Sequence, residues 1–113
     1  MKQLDHIWTF VSKKQDSPVL GARVVTGSPV GPIAIFRTLD DSVFAVLDKC
    51  PHKGGPLSQG IVHGHAVACP LHAWNISLVD GCAQAPDAGC ARHFAIKCEE
   101  DNIYLMRAEL AGN

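Results

Sequence analysis

Three features of this sequence predict an all-β fold, a small antiparallel sandwich or barrel. Short apolar runs alternate with clusters of turn residues. No segment holds a helical period over three turns, and the ten glycines and seven prolines mostly punctuate the apolar runs. Turn signals return about every eight to twelve residues, the spacing of strands that each bury one face.

The elements follow in order. "HIWTFVS" and "ARVVTG" read as short strands. "PIAIFRTLDDSVFAVLD" reads as a hairpin whose two apolar runs flank Asp40, Asp41 and Ser42, residues that favour turns by bonding back to the main chain. Residues 51–60 hold Pro51, Gly54, Gly55, Pro56 and Gly60, too dense a set for a strand. That stretch needs something else to shape it, and a bound metal is the obvious candidate. "IVHGHAVAC" is a second hairpin with His63, Gly64 and His65 at its tip, and "WNISLVDG" is a strand that ends at a glycine. "HFAIKCEEDNIYLMRAEL" is a last hairpin turning at Asp101 and Asn102, and "RAELAGN" forms a brief terminal turn. With 113 residues and no repeat or linker, the chain reads as one domain over residues 1–113.

Composition excludes several classes of function. A formal net charge of −1, with both signs mixed along the chain, lacks the basic stripe of a nucleic-acid binder. "MKQLDHIWTFVSKKQD" has no long apolar core of a signal peptide, and no run approaches a membrane span, so a cytoplasmic location without membrane contact is expected. Five cysteines in a reducing compartment, an odd number, argue for metal binding or plain burial over a disulfide framework. Cys50 and Cys69 each precede a proline and lie within three residues of a histidine; Cys82, Cys90 and Cys98 do not combine the two.

The spacing of the first pair is C-x-H-x16-C-x2-H, with Cys50, His52, Cys69 and His72. Each half offers one thiolate and one imidazole. Tetrahedral zinc accepts such a set. So does a [2Fe–2S] cluster with two cysteines on one iron and two histidines on the other. The plainest alternative leaves four unligated residues in ordinary turns. Zinc modules usually pair like with like, whereas each loop here contributes one ligand of each kind, which favours the two-iron cluster.

The same segment resembles the Rieske iron–sulfur domains, whose motif has this form on paired loops of a small all-β fold, here residues 49–60 and 68–75. The runs "CPHKGGPLSQG", "CPLHAWNISL" and "APDAGCARHF" further resemble the small subunits of assimilatory NAD(P)H-dependent nitrite reductases, over about residues 5 to 107. The resemblance implies a Rieske-type [2Fe–2S] cluster held by Cys50, His52, Cys69 and His72, the two histidines facing outward. It also implies a partner, the nitrite reductase large subunit, which would carry FAD, siroheme and a [4Fe–4S] cluster and reduce nitrite to ammonium. This chain would transfer electrons or stabilise the complex and would not be catalytic alone. Some small subunits of that group have lost the ligands; this one keeps all four. A Rieske-type ferredoxin serving an aromatic-ring dioxygenase is the alternative, and a zinc-stabilised binding module a third reading.

High-potential Rieske proteins add a disulfide between the ligand loops, at places matching Gly55 and Leu71, and a Gly-Ser pair where this chain has Ala73 and Trp74. Without those donors to the sulfurs the expected potential lies near the lower end of the Rieske range, about −150 mV. Two thiolates and two neutral imidazoles leave the oxidised cluster about neutral, hence easier to reduce than one held by thiolates alone.

Other residues carry blander expectations. His63 and His65 read as solvated turn residues, and His6 and His93 receive no role. Cys82 and Cys90 are close enough in sequence to meet, but the reducing compartment favours buried free thiols for both, and for Cys98. Trp74 reads as core or as a shield for the cluster. Lys49, Lys53 and Gln59 surround the tip as solvated residues that would contribute to docking if a partner binds there.

Overall fold

The computed structural model describes residues 7–51, 55–70, 74–84 and 89–111, and within them three antiparallel sheets form. The first contains β1 (Trp8–Lys13), β9 (Ile96–Glu99) and β10 (Asn102–Met106) in the order β1-β10-β9. The second contains β2 (Gly21–Val25), β3 (Ile33–Arg37), β4 (Val43–Leu47) and β8 (His93–Phe94), in that order. The third contains β5 (Ile61–His63), β6 (Ala66–Ala68) and β7 (Asn75–Ser77). One four-residue helix, α1 (Arg107–Leu110), follows β10, as the terminal turn predicted. No helix of the described residues is long and apolar enough to cross a membrane.

Strand β3 explains the layering. Its residues Ile33, Ala34, Ile35 and Phe36 are all fully buried. Because successive side chains on a strand point to opposite faces, such a run needs a core on each side. Ile33 and Ile35 join Ala45, Phe94, Ile103 and Leu105 in one cluster, between the first and second sheets. Ala34 and Phe36 join Val46, Leu57, Val62, Val67, Ile76 and Leu78 in the other, between the second and third. The second sheet is therefore the middle layer. Cys50 and Cys69 belong to the cluster on the third sheet's side.

The β3–β4 hairpin pairs Ile33 with Leu47 through Arg37 with Val43, as its sequence predicts. Asp41, at φ 70°, takes the left-handed conformation that closes the turn. Its carboxylate accepts from Lys14 Nζ at 2.6 Å and Arg37 Nε at 2.7 Å. Those two cations, Lys14 first, hold the Asp41 carboxyl below the usual carboxylate range.

Two predicted strands are shorter or differently placed than the sequence suggests. "HFAIKCE" divides between sheets: Phe94 pairs with Ala45 in the middle layer, whereas Ile96 pairs with Leu105 in the first sheet. At the crossing, the Ala95 N–H leaves the ladders and donates to Glu109 Oε1 at 2.8 Å. The last hairpin turns at Glu100 and Asp101, with φ values of 52° and 65°, because a two-residue hairpin of this hand needs positive φ at both central positions. Asn102 already pairs with Glu99. Cys98, expected to be buried, is exposed, since β9 has a strand on one side only.

Two outcomes test this account. Phe36→Ala empties the centre of one core and lowers unfolding free energy by about 3–5 kcal/mol in urea or guanidinium melts. Asp41 contributes stability that is present above the unfolded-state carboxyl value, about 3.9, and lost as pH falls through its depressed folded value. Asp41→Asn is thus less stable than the parent at neutral pH, and the difference narrows in acid.

Candidate metal centre

Cys50 lies three residues beyond the end of β4, and Cys69 directly follows β6. Both are 2% exposed. Their loops close in the same way. The Cys50 N–H donates to the Gly55 carbonyl at 2.7 Å, and the Cys69 N–H donates to the Trp74 carbonyl, also at 2.7 Å. Each cysteine therefore opens a loop that returns upon it five residues later, which makes the two loops equivalent in design. His52, Lys53, Leu71, His72 and Ala73 lie outside the described residues, as does His6. Among the described residues no group of three or more His, Cys, Asp or Glu gathers as a metal site, so the structure describes two of the four expected ligands.

The donor set fits an iron–sulfur group. Two soft sulfur donors sit in an apolar core on matched loops, and neither takes part in the chain's described disulfide. Thiolates in such a place need positive charge beside them to remain ionised, which bound iron provides.

The base of the first loop is fixed by residues that carry no metal-ligand signature. Asp48, two residues before Cys50, is buried. Its Oδ1 accepts the Ser58 N–H at 2.7 Å and its Oδ2 accepts the Ser58 hydroxyl at 2.8 Å, so one carboxylate clamps the two ends of the loop together. Leu57, fully buried beside them, anchors the loop in the core. Gly60 follows. A Cβ there would stand 2.2 Å from the Ala68 carbonyl oxygen and 2.8 Å from Val67 Cγ2, so only glycine lets the loop run against β6. Sequence reasoning missed Asp48 and Ser58. The available signal was a carboxylate directly after a buried strand, which requires a partner.

Cys82 and Cys90, expected as buried free thiols, form a disulfide. The two residues face each other as an antiparallel bridge, which brings their Cα atoms to 3.9 Å. Neither is buried; Cys90 is exposed and Cys82 half-buried. Compartment chemistry argued against the bond, and local pairing geometry produces it.

The remaining candidates are placed as follows. Trp74 is half-buried and packs on the core that holds Cys50 and Cys69, in keeping with a core or shielding role. Lys49 and Gln59 are exposed beside the loop, and His93 is exposed on β8. His63 and His65 are exposed at the β5–β6 tip, yet both have protein partners: His63 Nε2 lies 2.9 Å from Asn75 Oδ1, and His65 Nε2 lies 2.9 Å from Asp40 Oδ2. The Thr38 hydroxyl and then His65 hold the Asp40 carboxyl well below the usual range. A shallow cavity of about 310 Å³ opens there, lined by Leu39, Asp40, Gly64 and His65. It lies at the opposite end of β6 from Cys69 and is separate from the ligand loops.

Residues 7–103 match the family model of the Rieske [2Fe-2S] domain. The 3-phenylpropionate/cinnamic acid dioxygenase ferredoxin subunit of Photorhabdus laumondii is 34% identical over 104 residues, covering 88% of this chain and 94% of that protein. The 4beta-methylsterol monooxygenase of Methylococcus capsulatus is 42% identical over 55 residues, which are 49% of this chain and only 14% of that protein. Among solved structures, a chain assigned as the small subunit of an NADPH nitrite reductase superposes with a TM-score of 0.77 at 23% identity, covering 87% of this chain and 96% of that one. At that identity the likeness is one of fold.

The loop clamp yields a graded outcome. Ser58→Ala removes one of two bonds and lowers stability by about 1 kcal/mol, whereas Asp48→Ala leaves both half-buried Ser58 donors without their acceptor and costs about 2 kcal/mol. Both are read by chemical denaturation, and both variants lose iron to a chelator faster than the parent.

Proposed function

The chain belongs to the Rieske [2Fe-2S] domain family, and on that premise we propose that it is the electron-transfer small subunit of a cytoplasmic NAD(P)H-dependent nitrite reductase. The observation that carries the electron-transfer reading is the pair of equivalent loops, each opened by a buried cysteine and closed by the same N–H to carbonyl bond. Cys50 and Cys69 bind one iron of the cluster, and His52 and His72 bind the other. The cluster, when bound, supplies reversible one-electron transfer. The chain's own residues keep the two sulfur ligands in an apolar core, away from water, and hold both loops in place through Asp48, Ser58 and the closing bonds.

The nitrite reductase setting is supported by the sequence runs "CPHKGGPLSQG" and "APDAGCARHF", and by the fold likeness to a chain assigned to such an enzyme. In that setting the partner is a large subunit bearing FAD, siroheme and a [4Fe–4S] cluster, where nitrite is reduced to ammonium. The second reading, a ferredoxin of an aromatic-ring dioxygenase, is favoured by the 34% identity to the Photorhabdus protein across nearly the full length of both chains.

Iron and sulfide analysis with electron paramagnetic resonance of the reduced protein tests the cluster. A mixed Cys/His [2Fe–2S] signal with a midpoint near −150 mV is expected. Bound zinc without iron or sulfide after anaerobic reconstitution would sink the assignment. Cys50→Ser and Cys69→Ser abolish the visible iron–sulfur absorption while the circular dichroism of the sheets persists. Purification from the native host separates the two settings. Recovery with a siroheme enzyme supports the first, and recovery with an oxygenase or its flavin reductase overturns it.

A further inference from the structure

We propose that the Cys82–Cys90 disulfide is a thiol–disulfide exchange site, worked by a dithiol reductant, whose state sets how firmly the neck it closes is held against the first metal loop. The proposal rests on the cluster assignment above only for its effect on iron; the mechanical part stands on the fold.

The neck consists of residues 81–84 on one side and 89–91 on the other. It is tied to the strand that follows the second metal loop: the Gln84 N–H donates to the Asn75 carbonyl at 2.8 Å, and the Ser77 N–H donates to the Cys82 carbonyl at 2.9 Å. Across the neck, the Ala83 N–H donates to the Gly89 carbonyl at 2.8 Å, and the Ala91 N–H donates to the Gly81 carbonyl at 2.7 Å. Gly89, at φ 113°, lies so near the first loop that a Cβ on it would stand 3.3 Å from Pro51 Cβ. Pro51 is the residue between Cys50 and His52. One neck thus joins the strand after Trp74 to Pro51 of the other metal loop, and the disulfide fixes its width.

Two features make the bond exchangeable. It is accessible, with Cys90 exposed and Cys82 half-buried, and exposed disulfides are the labile and regulatory ones. Residues 81–84 stay bonded to the strand after Trp74, but the ladder across the neck is one isolated bridge flanked by a single hydrogen bond on each side, so little besides the covalent link ties residues 89–91 to them. The incoming thiolate attacks the more exposed Cys90 sulfur, forming a mixed disulfide and releasing Cys82 as a thiolate that takes up a proton. The second thiol of the reductant then displaces Cys90, leaving two protein thiols and an oxidised reductant. Two electrons enter the protein, and none pass through the metal site.

The test uses the full chain reconstituted with iron and sulfide, with and without dithiothreitol, beside the double variant Cys82→Ser/Cys90→Ser. Alkylation with mass mapping reads the thiols, with exposed Cys98 labelled in both states as the internal standard. Amide hydrogen exchange reads residues 75–84 and 89–91. We expect dithiothreitol to expose Cys82 and Cys90, to speed exchange in the neck by at least about tenfold, and to hasten loss of iron–sulfur absorption to a chelator. Reoxidation restores the parent, and the double variant shows the open behaviour whether or not reductant is present. Exchange in the neck that is unchanged after the bond opens overturns the proposal, as does a bond that resists excess dithiothreitol in the folded protein. If no cluster assembles in either state, the functional assignment fails instead, and the hydrogen-exchange comparison still decides the neck.

Discussion

One hairpin serves two hydrophobic cores, and the rest of the molecule is arranged around that constraint. β3 and β4 send Ile33, Ile35 and Ala45 to one side and Ala34, Phe36 and Val46 to the other. A chain of this length has little apolar surface to spare, so both cores are thin and each draws on the same strands. Cys50 follows the end of β4 within three residues, and Cys69 directly follows the strand that carries Val67 into the same core as Phe36. The metal loops are therefore extensions of the packed interior, and their cysteines count among its members.

That placement solves a problem peculiar to a loop rich in glycine and proline. Such a segment loses much conformational entropy on ordering and has no ladder of its own to compensate. Here the ordering is distributed: Leu57 docks in the core, Asp48 clamps Ser58, and the Cys50 N–H and Gly55 carbonyl close the turn. At the second loop, β6 and β7 pair at Ala68 and Asn75, and the Cys69 N–H donates to the Trp74 carbonyl. Cysteines held in this manner would meet a metal already oriented, with little binding energy spent on arranging them.

The sequence made the strands around sharp turns legible, because "LDDS" and "HGH" each separate two short apolar runs. It also offered four candidate ligands, of which the described residues place Cys50 and Cys69 in one core. It was less informative where a run is continuous. "HFAIKCE" reads as one strand, yet the chain changes sheets at Ala95 because Phe94 and Ile96 serve different layers. Asp48 and Ser58 were silent for another reason: a buried carboxylate looks like any surface aspartate until its partner, ten residues away, is known. The disulfide was misjudged because compartment chemistry is an average over proteins, whereas the register of one bridge decides which sulfurs meet.

Packing and metal ligation both constrain the interior, and neither constrains the choice of redox partner. The same domain matches nearly all of a dioxygenase ferredoxin subunit and only a small part of a large monooxygenase. A core and a pair of metal loops can be shared across such different settings because both are satisfied within the domain itself. Other side chains serve neither core. On the third sheet, Ile61 is 73% exposed while its neighbour Val62 is buried, and Leu39 and Val79 are also exposed. On the outer face of the first sheet, Phe10 and Tyr104 meet edge to face, and Lys97 lies over Trp8. These positions, Val62 aside, belong to neither buried cluster, so they can change while both cores stay packed.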